Sequence, residues 1–107
     1  MKKHYRQGDV LVIETETIPR DAKQVEREGG RIVLAHGEVT GHSHAIASMD
    51  ARFLGVVAEG AERRFLRAVR PVALNHEEHA EIRIARGNYE VVIQREYEPG
   101  AIRNVAD

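Results

Sequence analysis

EIRIARGNYEVVIQREY, residues 81–97, decides the fold class. Ile82 and Ile84 alternate with Glu81 and Arg83, the period of two expected of a strand with one buried face. Arg86-Gly87-Asn88 has turn chemistry, and Tyr89 to Ile93 is aromatic and β-branched. The stretch therefore predicts a β-hairpin that returns along 89–93.

Working outward, ERRFLRAVRP (62–71) fits two readings. Phe65, Leu66 and Val69 suit one face of a helix that Pro71 would stop. They equally suit the second strand of a hairpin turning at Glu59-Gly60, and the strand is preferred because its neighbours are strands. ARFLGVVAEG (51–60) is the first strand of that pair. QGDVLVIETE (7–16) starts with a turn-like Gly8-Asp9 and continues as an apolar strand buried on both faces or nearly so. RIVLA (31–35) and HSHAIA (42–47) add two more. Residues 18–30 are polar, with Pro19 early and Gly29-Gly30 late, and read as a loop with a helical turn around 21–27. The tail, EPGAIRNVAD, reads as loose chain or a short edge strand. About seven or eight short strands with frequent turns predict an all-β fold. A small antiparallel barrel or sandwich, a single domain over 1–107, is the expected architecture.

Composition narrows the function classes. Sixteen basic against 17 acidic residues leave a net charge of −1, with no electrostatic pull toward nucleic acid or a membrane surface. The arginines at 63, 64, 67 and 70 have Glu59 and Glu62 beside them and read as a solvated face. There is no cysteine, so there is no disulfide framework and no thiolate site. A transition metal would have to be held by imidazole and oxygen. MKKHYRQGDV is basic but lacks the apolar run of a signal peptide, and no stretch is as long as a membrane span. The expectation is a cytoplasmic protein. Small barrels often pair through edge strands, so a homodimer is also expected.

Five of the six histidines fall in two clusters: His36, His42 and His44, then His76 and His79. On a strand, His42 and His44 project to the same side and offer two neighbouring imidazoles. Gly41 lets the backbone adopt unusual dihedrals beside them. His76 and His79, three apart, would share one side of a helical turn. The pair is not HExxH, because Ala80 stands four after His76. Two or three histidines with a carboxylate suit a divalent transition metal such as Zn, Fe(II), Mn or Ni. Glu38, Asp50, Glu59, Glu77 and Glu78 are the carboxylate candidates, none singled out by spacing. Glu38 is the general-base candidate should the site act on a small molecule. With open coordination positions such a site could polarise a substrate oxygen or activate water.

At these residues the chain resembles a cupin, the small jelly-roll barrel family. Cupins carry an HxH pair on one strand and a third histidine on a later strand, all facing the barrel interior. G41-H42-S43-H44 looks like the first motif, and P71-V72-A73-L74-N75-H76 keeps the proline-to-histidine spacing of the second. The resemblance implies His42, His44 and His76 as metal ligands, with His36, Glu38, His79 or water as the fourth. The chain departs from the pattern where Ala73 replaces a glycine and where Ser48 and Met49 replace the glutamate after the HxH pair. In that family such sites serve dioxygenases, isomerases and sugar-binding regulators, so the resemblance names no single reaction.

A competing expectation comes from Gly8-Asp9 ahead of VLVI, a start similar to small barrels of the chaperonin-cofactor kind. It implies an assembly module with a docking tail beyond Tyr97 and histidines that are merely loop residues. Clustered imidazoles also suit a pH-sensitive binder.

Overall fold

Ile82–Ile84 and Gly87–Ile93 are both strands, but they do not pair with each other. The computed structural model describes residues 2–37 and 39–94. In chain order its strands are β1 (His4–Gln7), β2 (Val10–Glu14), β3 (Lys23–Gln24), β4 (Ile32–His36) and β5 (Ser43–Ile46). Then come β6 (Ala51–Ala58), β7 (Ala61–Ala68), β8 (Val72–Leu74), β9 (Ile82–Ile84) and β10 (Gly87–Ile93). There is no α-helix among the described residues. No helix there is long and apolar enough to cross a membrane.

Every pairing between these strands is antiparallel. Six strands form one sheet in the order β1-β2-β10-β7-β6-β3, while β4–β5 and β8–β9 are two-stranded ribbons. The architecture is therefore all-β and antiparallel, without a closed barrel among the described residues. The expected 81–93 hairpin is replaced by a crossing between sheets. β9 pairs with β8, whereas β10 runs between β2 and β7 at the centre of the large sheet. Alternation places side chains on faces but does not name the neighbouring strand. The corner between them is held by Tyr89, whose hydroxyl donates to Ala85 O at 2.7 Å, and by Ala85 N–H donating to Tyr5 Oη at 3.1 Å.

The 51–68 hairpin forms as two strands turning at Glu59-Gly60, with Ala58 opposite Ala61. The helical turn expected near 21–27 does not form. Lys23 and Gln24 instead pair with Gly55 and Leu54 and make the far edge of the sheet. Arg63, Arg64 and Arg67 of the arginine run lie on β7, with Arg70 just past its end; Arg63 pairs with Glu90 at 2.9 Å and lies over the Phe65 ring.

One apolar cluster joins the sheet to the ribbons. The sheet contributes Val10, Val12, Phe53, Leu66, Tyr89, Val91 and Ile93, and the ribbons contribute Ile32, Leu34, Ile46, Val72, Leu74 and Ile84. Full burial of one such aliphatic side chain is worth about 1.5–3 kcal/mol. This core holds the ribbons in position, and the ribbons carry the histidines.

Candidate functional site

A single two-way backbone contact brings the two histidine clusters together. Ala45 N–H donates to Asn75 O and Asn75 N–H donates to Ala45 O, both at 2.9 Å. This antiparallel bridge ties β5 to the end of β8. One step along from the 45–75 pair, His44 meets His76, and their ring centroids are 4.2 Å apart. Two steps further His42 meets Glu78, with His42 Nδ1 3.5 Å from Glu78 Oε2. The intervening pair, Ser43 and Glu77, meets through Ser43 N–H donating to Glu77 Oε1 at 2.9 Å. A two-residue period thus puts His42, His44 and His76 on one side. His79 completes the cluster, 4.7 Å from the His76 ring and 5.8 Å from that of His44, centroid to centroid. His79 lies in a bend over 77–79 and His76 just before it, rather than in the helical turn expected of their spacing.

The rings of His44, His76 and His79 border a cleft of about 260 Å³ that is also lined by Asp9, Gly37, Val39 and Glu78. Gly8 and Asp9 form the two-residue loop between β1 and β2, since Gln7 pairs with Val10. Gly8 has φ of 59°, and a Cβ there would stand 2.9 Å from His79 Nε2 and 3.2 Å from His44 Cε1. A side chain at position 8 would both strain the backbone and push the rings. Gly8-Asp9 is thus not merely the lead into a strand: it floors the cleft, and Asp9 Oδ1 lies 3.7 Å from His44 Nε2.

The nitrogens differ in their surroundings. His44 is buried at 3% exposure, and its Nδ1 lies 2.8 Å from Gln7 Oε1. His76 Nδ1 accepts the backbone N–H of Glu78 at 2.9 Å. His42 Nδ1 is buried and makes no hydrogen bond. A buried polar atom without a hydrogen bond is costly, by about 1–3 kcal/mol, and the nearest charged group to this one is Glu78 Oε2 at 3.5 Å. Among the described residues no group of three His, Asp or Glu side chains is arranged, as it stands, to hold a metal ion.

The back of the same strand pair is a second, shallower cleft of about 230 Å³, lined by Arg31, Ser43, Asn75, His76 and Glu77. The Ser43 N–H holds the Glu77 carboxyl below the usual carboxylate range, with lesser help from the Glu77 backbone and from His42 and His76.

Of the residues the sequence singled out, His42, His44, His76 and His79 meet here, with Glu78. His36 does not join them: at the end of β4 its exposed ring pairs with Glu28, Nε2 to Oε1 at 3.0 Å. Glu38, the general-base candidate, lies outside the described residues, as does the tail beyond Gln94. Asp50 and Glu59 are not among the residues lining the cleft, and Glu77 lines its back. Sequence reading missed Gln7 and took Asp9 only as a turn residue. Nothing in the local pattern of HYRQGDV ties either to histidines far along the chain.

Fold and cleft together define an all-β protein with an imidazole–carboxylate pocket at the junction of its two ribbons. The chain belongs to the family described as a domain of unknown function, DUF8820, whose match covers residues 6–94 and so includes every described residue of the pocket. No curated protein and no solved structure matches the chain.

Proposed function

We propose that this protein is a small, cupin-like metal-binding protein whose pocket holds one divalent transition metal and works on a small molecule. The observation that carries the reading is the Ala45–Asn75 bridge, which makes neighbours of imidazoles from two distant segments. The donor chemistry fits. Three imidazoles and the carboxylates of Asp9 and Glu78 line one cleft, with His42 beside Glu78 and His76, and a set of nitrogen and oxygen donors suits Zn, Fe(II), Mn or Ni. His44 is the leading ligand, with His42, His76 and His79 as its partners. Binding requires the rings to turn, because the donors are not grouped around one point as they stand. For His76, coordination through either nitrogen of a neutral ring gives up the Glu78 N–H bond, since Nδ1 would spend its lone pair on the metal or take the proton from Nε2, a cost of about 1 kcal/mol. When bound, such a metal supplies a Lewis acid that polarises a substrate oxygen or lowers the pKa of water.

This reading takes the protein to be cytoplasmic, since a chain without cysteine suits a reducing compartment. It also takes the protein to be a homodimer, with β1 and β3 as the edge strands that could pair. The competing reading, an assembly module, rests on the Gly8-Asp9 start ahead of VLVI and leaves the meeting of the histidines without a purpose.

The test is metal content and thermal stability of the full chain, purified without a tag. Close to one equivalent of one metal is expected in the wild type. Added metal should raise the Tm of the wild type by mass action on the native state. His44→Ala should lose both. Equal stabilisation of wild type and His44→Ala would show that the ligand set is wrong.

A further inference from the structure

We infer that Gln7 is a positioning residue of this pocket: it dictates which nitrogen of His44 faces the cleft, and it ties down both ends of the loop carrying His76, Glu78 and His79. The inference leans on the metal-binding reading only for what that nitrogen serves.

Gln7 is the last residue of β1 and is 2% exposed. Its Nε2 donates to Leu74 O at 2.9 Å and to Ala80 O at 3.0 Å. Backbone carbonyls only accept, so the amide NH2 has to face them, and the side chain cannot be turned end for end. Oε1 is thereby aimed at His44 Nδ1, 2.8 Å away. An amide oxygen only accepts, so His44 Nδ1 must carry the proton. A neutral imidazole has one N–H, and its lone pair is then on Nε2. That nitrogen is on the cleft side, with Asp9 Oδ1 at 3.7 Å. A histidine held by its N–H while its other nitrogen meets a ligand is the usual arrangement around a bound metal.

The two carbonyls give Gln7 a second role. Leu74 ends β8, and Ala80 lies two residues before β9, after the loop. One buried side chain therefore clamps both ends of the 75–79 segment. Glutamate could not do this, because a carboxylate would set oxygen against both carbonyls. It could still accept from His44. Methionine keeps much of the volume and does neither.

Long-range 1H–15N NMR on the full-length, metal-free chain reads which ring nitrogen is protonated. It would be recorded about two units above the ordinary imidazole pKa of about 6.5. Wild-type His44 is expected as a single Nδ1–H tautomer. Gln7→Met should give a mixture or the Nε2–H form, while Gln7→Glu retains Nδ1–H. Zn2+ affinity, measured by chelator competition, should fall about tenfold or more in Gln7→Met. A wild-type His44 protonated on Nε2, or a Gln7→Met protein with an unchanged tautomer, overturns the inference. If Gln7→Met does not fold, Gln7→Glu decides, and loss of its Nδ1–H form overturns the inference. If the tautomer shifts as expected but the wild type ignores Zn2+, the metal reading fails and the positioning role stands. If Zn2+ binds wild type and Gln7→Met alike with the tautomer unmoved, the positioning role fails and the metal reading stands.

Discussion

Two polar rings are buried at the two ends of β2, and they are used differently. Tyr89 lies opposite Glu14 at one end, and His44 lies beside the Gly8-Asp9 loop at the other. Both are almost fully shielded, Tyr89 at 0% and His44 at 3% exposure. Tyr89 has one polar atom, and it is committed to the Ala85 carbonyl, with Tyr5 packed edge-on at 5.8 Å. His44 has two. One is committed to Gln7, and the other is on the side of a cleft shared with further imidazoles and carboxylates. A buried polar group whose hydrogen-bonding capacity ends in the backbone stabilises a corner. One with a second polar atom turned to a cleft makes a site. If this division holds, damage at the tyrosine end should cost stability and leave metal binding alone.

The largest effect expected is at Leu66, fully buried on β7 between Phe53 and Tyr89 of the neighbouring strands. Leu66→Ala should destabilise by about 2–5 kcal/mol, through lost transfer energy and an unfilled cavity. Small domains have only about 5–15 kcal/mol in total. Urea unfolding checks this as a lower midpoint at unchanged slope. Metal affinity of the folded fraction should not change. A parallel loss of affinity would mean that the core and the pocket are one unit, and the comparison would break.

Tyr89→Phe is a narrower cut. It removes one hydroxyl and leaves the Ala85 carbonyl short of that donor, for about 1–2 kcal/mol. Burial first, and then the contact with Tyr5, pushes the Tyr89 hydroxyl above the ordinary tyrosine pKa of about 10. The native state thus holds this proton more tightly than the unfolded chain does. Its stabilisation is complete below the ordinary value and is lost as pH rises past it. Wild-type stability should therefore fall in alkali more steeply than that of Tyr89→Phe, as read from urea midpoints on both sides of about pH 10. Parallel curves would show that the hydroxyl is not shielded as described.

The same division separates what the sequence revealed from what it did not. Period-two alternation is local, so the strands around Ile82, Tyr89 and Phe65 were legible, and so was the shared side of His42 and His44. Partner choice is not local. Ile82–Ile84 reads identically whether it pairs with β10 or, as it does, with β8. Lys23 and Gln24 form an edge strand only because Gly55 and Leu54 lie alongside, with no apolar rhythm of their own. The meeting of His44 and His76 depends on the Ala45–Asn75 register, which the flanking residues do not specify. Gln7 acts through three partners on three other segments, so a glutamine before a turn gave no sign of it.

The smallest effect lies within the histidine end and separates its two faces. Glu77 is on the back of the strand pair, where its carboxylate accepts the Ser43 N–H. That bond, ahead of the other causes, keeps the Glu77 carboxyl acidic. A folded-state pKa below the unfolded value stabilises the protein above the unfolded pKa. The gain disappears as pH falls through the depressed value. Glu77→Gln still offers an oxygen to Ser43 but carries no charge to titrate. It should therefore be slightly less stable than wild type near neutral pH and converge with it in acid, giving a flatter acid limb, compared by urea midpoints at neutral pH and near pH 3. Metal affinity should stay at the wild-type level, since position 77 faces away from the cleft. Identical acid limbs would mean that the Ser43–Glu77 contact does not help to hold β5 against the loop. The pairing of His44 with His76 would then depend on the Ala45–Asn75 bridge and the Gln7 clamp without support from behind.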